Sequence, residues 1–193
     1  MRGNDIIDLQ AASHETNWRR KGFLEKICTP DELHYVLEAD DPDRAVWRLW
    51  SIKESAYKVH VRSAKKRSFA PWQLSCTVLN NTKSRVAIGG CYYTCSTLET
   101  TGYIYSTAVA AEETKAPVID HCFLVRGENW LQQQEYIYQR IIDRYAGLAG
   151  CKKEALRICK DALNIPSLYD SEDHSRLYLS ITHHGRYAAF TIN

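Results

Sequence analysis

Between Ala45 and Val78 the apolar residues change from a helical to an alternating period, and this break constrains the fold more than any other feature. Ala45, Leu49, Ile52, Ala56 and Val59 recur every three or four residues, the seam of an amphipathic helix from about Arg44 to His60. From Ser68 the period falls to two: Leu74, Cys76 and Val78 alternate with polar positions, and Asn80 and Asn81 read as a turn. A second run spans Val86 to Ser96, Thr101 and Gly102 turn the chain back into Tyr103 to Ala110, and Val118 to Val125 reads as a further strand. The expected class is α+β, a mainly antiparallel sheet packed against helices.

The flanks fit that class. Ile6, Ile7 and Leu9 make a short strand carrying Asp5 and Asp8, which must be held in a sheet so near the terminus. Residues 14–23 read as polar helix or loop. Thr29, Pro30, Asp31 and Glu32 then read as a helix start: threonine caps, proline suits the first turn, and the acids complement the dipole. Gly127, Glu128 and Asn129 introduce a helix with Trp130, Ile137, Ile141 and Tyr145 at helical spacing, stopped by Gly147 and Gly150. The stretch 151–163 reads either as a short helix or as a helical turn followed by a strand; the turn at Asn164, Ile165 and Pro166 favours the latter. Strands at Leu177–Thr182 and Tyr187–Ile192 close the chain. No internal repeat is visible.

The 193 residues suffice for a real core, and a formal charge of +2 leaves any attraction for anions to local clusters. Two stand out: Arg19, Arg20 and Lys21, and Arg62, Lys65, Lys66 and Arg67. Nucleic acid is not an expected partner. Seven cysteines without zinc spacing argue against a disulfide scaffold or structural zinc, and no apolar run suits a membrane span. A cytoplasmic protein is expected.

Three segments carry possible chemistry. On the helix, Glu54 lies across from the apolar seam with Lys58 four residues on, while Lys53 and Tyr57 flank the same edge; an ordinary solvated ion pair is the simplest reading. Asp5 interrupts an apolar strand, at a cost unless its carboxylate reaches water or a cation. His183 and His184 stand at a strand end beside a glycine, where a tight turn alone explains them.

Together these segments resemble the 4′-phosphopantetheinyl transferase superfamily, closest to its holo-acyl-carrier-protein synthase branch. GNDIIDL is similar to that branch's opening strand, FLEKICTPDEL to its F-x-x-[RK]-I-[LF]-T-x-x-E-L segment, RLWSIKESAYK to its K-E-A helix, and LSITHHGRYAAFTI to its closing hairpin. The resemblance implies one transferase-like domain over residues 1–193. It also implies transfer of 4′-phosphopantetheine from coenzyme A to a serine of an acyl or peptidyl carrier protein, with release of 3′,5′-ADP, in lipid or secondary-metabolite synthesis. Asp5 and Glu54 match the family's magnesium carboxylates and, with Lys58, its catalytic groups. The serine proton would go to Glu54 or to a water positioned by Asp5. Lys53, Lys58, His183, Ser180 and Thr182 are then expected to hold coenzyme A, with His184 ranked below His183, and Arg19, Arg20 and Lys21 to meet the carrier.

The chain also departs from the pattern. Ile7 replaces a second acidic ligand of the larger, surfactin-type branch, His60 a helix-ending glycine, and Asn164, Ile165 and Pro166 a common G-K-P turn, removing one phosphate lysine. Residues from about 82 to 129 read as an inserted β-hairpin region. With one copy of each motif, the chain resembles a single half carrying an extra segment, so a homo-oligomer with a site shared between subunits is expected. The similarity of residues 133–146 to a helix of the larger branch leaves an intrachain site as the alternative. A non-catalytic module binding coenzyme A or a carrier protein is a second functional class, and a metal-dependent phosphohydrolase a third.

Overall fold

Gly3 explains how the opening strand reaches the long helix. A side chain there would meet the Ser55 carbonyl oxygen at 2.2 Å, so only glycine lets the two backbones touch. In the computed structural model, which describes residues 1–111 and 119–193, the strand is β1 (Arg2–Asp8) and the helix α4 (Pro42–Ala64). Between them lie α1 (Leu9–Glu15), α2 (Leu24–Ile27) and α3 (Pro30–Leu37). The start of α3 is built as its sequence requires: Thr29 accepts from the Glu32 amide while the Glu32 carboxylate accepts from the Thr29 amide, a reciprocal cap.

After α4 come β2 (Ser75–Val78), β3 (Lys83–Ile88), β4 (Cys91–Glu99) and β5 (Tyr103–Ala110). The run expected from Val86 to Ser96 is therefore two strands. Gly89 and Gly90, with φ of 54° and 82°, form the tight turn that separates them. β5 returns to pair antiparallel with β1, giving the sheet order β1-β5-β4-β3-β2. Val46, Leu49, Ile52, Ala56 and Val59 of α4 pack on this sheet with Ile7, Val86, Cys95 and Ile104.

The second half follows the same wiring. β6 (Ile119–Leu124) leads to α5 (Trp130–Ala149), then β7 (Leu156–Lys160), β8 (Pro166–Asp170), β9 (Arg176–His184) and β10 (Tyr187–Ile192). Their order, β6-β10-β9-β8-β7, repeats that of the first sheet. Val118, expected to open β6, lies outside the described residues. Residues 151–163 form the expected helical turn, Lys153–Ala155, followed by β7. Gly147 is helical; the stop is Gly150, at φ 71°. Ile137 and Ile141 of α5 pack with Leu168, Leu179, Ala188 and Phe190 in a core of their own.

The architecture is thus α+β, with antiparallel sheets against helices. It is two sheet-and-helix halves rather than one half with an extra segment. The residues expected as an insert supply β3, β4 and β5 of one sheet and β6 of the other. The repeat escaped the sequence because each half carries different side chains on the same wiring. No helix of the described residues is long and apolar enough to cross a membrane.

Candidate active site

The two halves are joined along the free edge of β1. Because β1 pairs only with β5 among the described residues, its Asn4, Ile6 and Asp8 amides point away from their own sheet. Side chains of β9 take all three: Ser180 Oγ accepts from Asn4 at 3.3 Å, Thr182 Oγ1 from Ile6 at 3.2 Å, and His184 Nδ1 from Asp8 at 2.9 Å. Their spacing of two residues matches the pleat, so one face of β9 serves the whole edge. His184 is thereby a structural residue, its Nε2 lying 3.3 Å from Glu15.

Asp5 and Ile7 face α4. The Asp5 main-chain carbonyl accepts from Ser51 Oγ at 3.2 Å. Its Oδ1 accepts from Thr182 Oγ1 at 3.0 Å and from Lys58 Nζ at 3.2 Å, and Lys58 also donates to the Asn4 carbonyl at 2.8 Å. Oδ2 is buried with no partner. Burial pushes the Asp5 carboxyl above its ordinary value, against the lowering influence of Lys58 and Thr182. Glu54, half-buried on α4, makes no hydrogen bond or ion pair among the described residues. Burial, with a smaller push from Asp5, raises its carboxyl to about 7 against the pull of Lys58. The expected Glu54–Lys58 surface pair is replaced by a tertiary pair of Lys58 with Asp5.

One Asp5 oxygen left bare beside a second unpartnered carboxylate is what a divalent cation would satisfy. No group of three or more His, Cys, Asp or Glu ligands occurs among the described residues. A two-carboxylate site suits magnesium, which keeps waters and takes substrate phosphates as its remaining ligands.

Beside these carboxylates opens a cleft of about 360 Å³ between the halves. Tyr57, Lys58, Arg62 and Arg67 line it from the first half; Lys160 of β7 and Ser180, Thr182 and His183 of β9 line it from the second. Trp130, Ile137, Tyr138, Ile165 and Pro166 give it an apolar side, and no carboxylate among the described residues lines it. The cleft therefore suits a ligand with several phosphates and an apolar or aromatic part. Arg62 is held by a hydrogen bond to the Leu179 carbonyl, and His183 Nε2 lies 3.1 Å from the Gly185 carbonyl.

Sequence reasoning missed Lys160 and Trp130 here. Trp130 had the spacing of a core residue, yet it stands in the first turn of α5 with 63% of its surface exposed. Lys53 is not brought to the cleft. It is buried on another side of α4, where its ammonium donates to the Ile27 and Pro71 carbonyls at 2.7 and 2.9 Å and to Glu32 at 2.5 Å. All three of its protons are engaged, which leaves none for a phosphate.

The basic loop after α1 is exposed. Arg19 donates to both oxygens of Asp43, at 2.7 and 2.8 Å, and stacks 4.1 Å from the Trp18 ring. Arg20 lies 5.3 Å from the Phe23 ring, and Lys21 stands in solvent. At the base of α1, Asp8 caps the helix and takes a two-pronged bond from Arg186. Burial raises its carboxyl, but the Arg186 side chain and the amides of Arg186, Ala11 and Gln10 outweigh that and hold it well below the usual carboxylate range.

Residues 2–116 match a family model described as the 4′-phosphopantetheinyl transferase superfamily. No curated protein matches the chain. The match covers β1 and α4 with their carboxylates; the β9 side chains lie beyond it.

Proposed function

The chain belongs to the 4′-phosphopantetheinyl transferase superfamily, and from this premise we propose that it transfers 4′-phosphopantetheine from coenzyme A to a serine of an acyl or peptidyl carrier protein. The observation that carries this reading is the bare, buried Asp5 Oδ2 near the unpartnered Glu54, at the head of a cation-lined cleft. Asp5 and Glu54 would hold Mg2+, which when bound neutralises charge growing on the leaving phosphate.

In the transfer, the serine oxygen bonds to the phosphorus that bears pantetheine, the bond from that phosphorus to the bridging oxygen breaks, and 3′,5′-ADP leaves. The serine proton goes to Glu54, whose carboxylate has no side-chain partner among the described residues, or to a water positioned by Asp5. Lys58, already at the Asp5 carboxylate, offers its remaining proton to a phosphate oxygen. Thr182 and Ser51 keep Asp5 in place, and His183 reaches the phosphates from the rim. Arg20 and Lys21 offer charge to an acidic carrier surface, whereas Arg19 is largely answered by Asp43. The seven cysteines are free, in keeping with a reducing cytoplasm.

Incubation with apo carrier proteins, coenzyme A and Mg2+ should add one phosphopantetheine per carrier, read by intact mass. Chelation should abolish the addition and Mg2+ restore it. Asp5→Asn and Glu54→Gln should each lower kcat by about a hundred- to a thousandfold, the scale of losing one electrostatic group, with native circular dichroism. Binding of coenzyme A without transfer to any carrier tested would instead identify a non-catalytic module.

A further inference from the structure

β6 holds the place in its sheet that β1 holds in the other, an edge strand with one neighbour among the described residues. The Val125 amide donates to the Arg186 carbonyl at 2.8 Å, so the odd residues of β6 bond to β10 and the Asp120, Cys122 and Leu124 amides point outward. On β1 the outward amides are taken by β9 side chains; among the described residues no side chain takes those of β6.

One face of α5 lines that open edge with charge. The Tyr136 ring lies 6.2 Å and the Arg140 guanidinium 5.7 Å from the centre of the Phe123 ring of β6, and His121 stacks on the same ring at 5.6 Å. Burial and the charges of Arg144 and Arg140 hold the His121 imidazole below its ordinary value, in keeping with both guanidiniums standing beside the strand. Both arginines are exposed, and neither has a hydrogen bond or ion pair among the described residues. The nearby carboxylates are engaged elsewhere: Asp143 with Lys153 at 2.7 Å, and Asp120, on the opposite face of β6, with Tyr105. Four residues of helix rise about 6 Å and two residues of strand about 6.6 Å, so Arg140 and Arg144 have the spacing of alternate side chains on an added strand.

We propose that the β6 edge, Arg140 and Arg144 form a docking groove for an extended acidic segment of a partner protein, which adds as a strand beside β6 and sets carboxylates two residues apart against the two guanidiniums. Main-chain bonds to Asp120, Cys122 and Leu124 give affinity, and the arginines give selectivity. A second copy of this chain is a poor occupant, because pairing β6 with β6 brings the arginines of both copies together. None of these residues lines the cleft, so the groove stands apart from the transfer reaction.

The probe is a fluorescent octapeptide of alternating Glu and Thr, titrated into the full chain by anisotropy and compared with the peptide that carries Lys for Glu. The Glu peptide should bind about tenfold more tightly. Arg140→Gln and Arg144→Gln should each weaken it about fivefold, the upper worth of an exposed ion pair, and the double variant should bind both peptides alike, with native circular dichroism. Hydrogen exchange at the Cys122 and Leu124 amides should slow when the Glu peptide binds. Exchange left unchanged on binding overturns strand addition; equal affinity of wild type for the two peptides, or no binding of either at millimolar concentration, overturns the groove. Transfer to a carrier protein should run at the wild-type rate in the double variant, and a rise in carrier KM there would make the pair a dock for the folded carrier and overturn the proposal. If wild type transfers nothing, the peptide titration still decides the groove.

Discussion

At the scale of single residues, α4 shows how far spacing identifies a site. Asp5 stood out as a carboxylate interrupting an apolar strand and Glu54 only through the family resemblance, and burial raises both carboxyls. Their pairings were not legible. Four-residue spacing joined Lys58 to Glu54, but Gly3 brings β1 so close that Lys58 meets Asp5 instead, at 3.2 Å. Lys53 differs from Glu54 by one step of the helix, about 100°, and that step turns it from the cleft into the Glu32 pocket. Glu54 also sets a pH dependence. Its carboxyl titrates near 4.5 when unfolded and about 7 when folded, so its contribution to stability is complete below 4.5 and lost as pH rises through 7. Metal-free protein should therefore melt at falling temperature across that window, and Glu54→Gln should flatten the fall in calorimetric scans.

At the scale of elements, the segments with strong local chemistry were the legible ones. Thr29 and Glu32 specify the start of α3, and Asn129 that of α5. The hairpin between β3 and β4 left a signal that went unread: buried positions are even up to Ile88 and odd from Tyr93, a slip of alternation across Gly89 and Gly90. Buried charge joins the elements around α4. Glu32 accepts from Lys53, Thr29 and Cys76, tying α3 and β2 to the helix. Lys53→Met removes one partner and leaves a buried carboxylate. It should cost about 3 kcal/mol or more in urea unfolding, with KM for coenzyme A unchanged in the folded protein.

At the scale of the whole molecule, the wiring repeats and the motifs do not. One half carries Asp5, Glu54 and Lys58, the other Ser180, Thr182 and His183, so no motif occurs twice for a sequence comparison to detect. A site was expected between subunits, whereas the cleft proposed as the site is lined by both halves of one chain. A monomer should accordingly be active, with specific activity independent of protein concentration while light scattering reports a single chain. The β9 side chains over β1 have a further effect, on solubility. An uncovered strand edge is a template for a second chain, and Ser180, Thr182 and His184 occupy the N–H groups that would nucleate such growth. Combined Ser180→Ala, Thr182→Val and His184→Leu should convert the protein into soluble aggregates, visible by size-exclusion chromatography. The row of polar side chains whose Thr182 steadies the Asp5 carboxylate is also the guard against self-association.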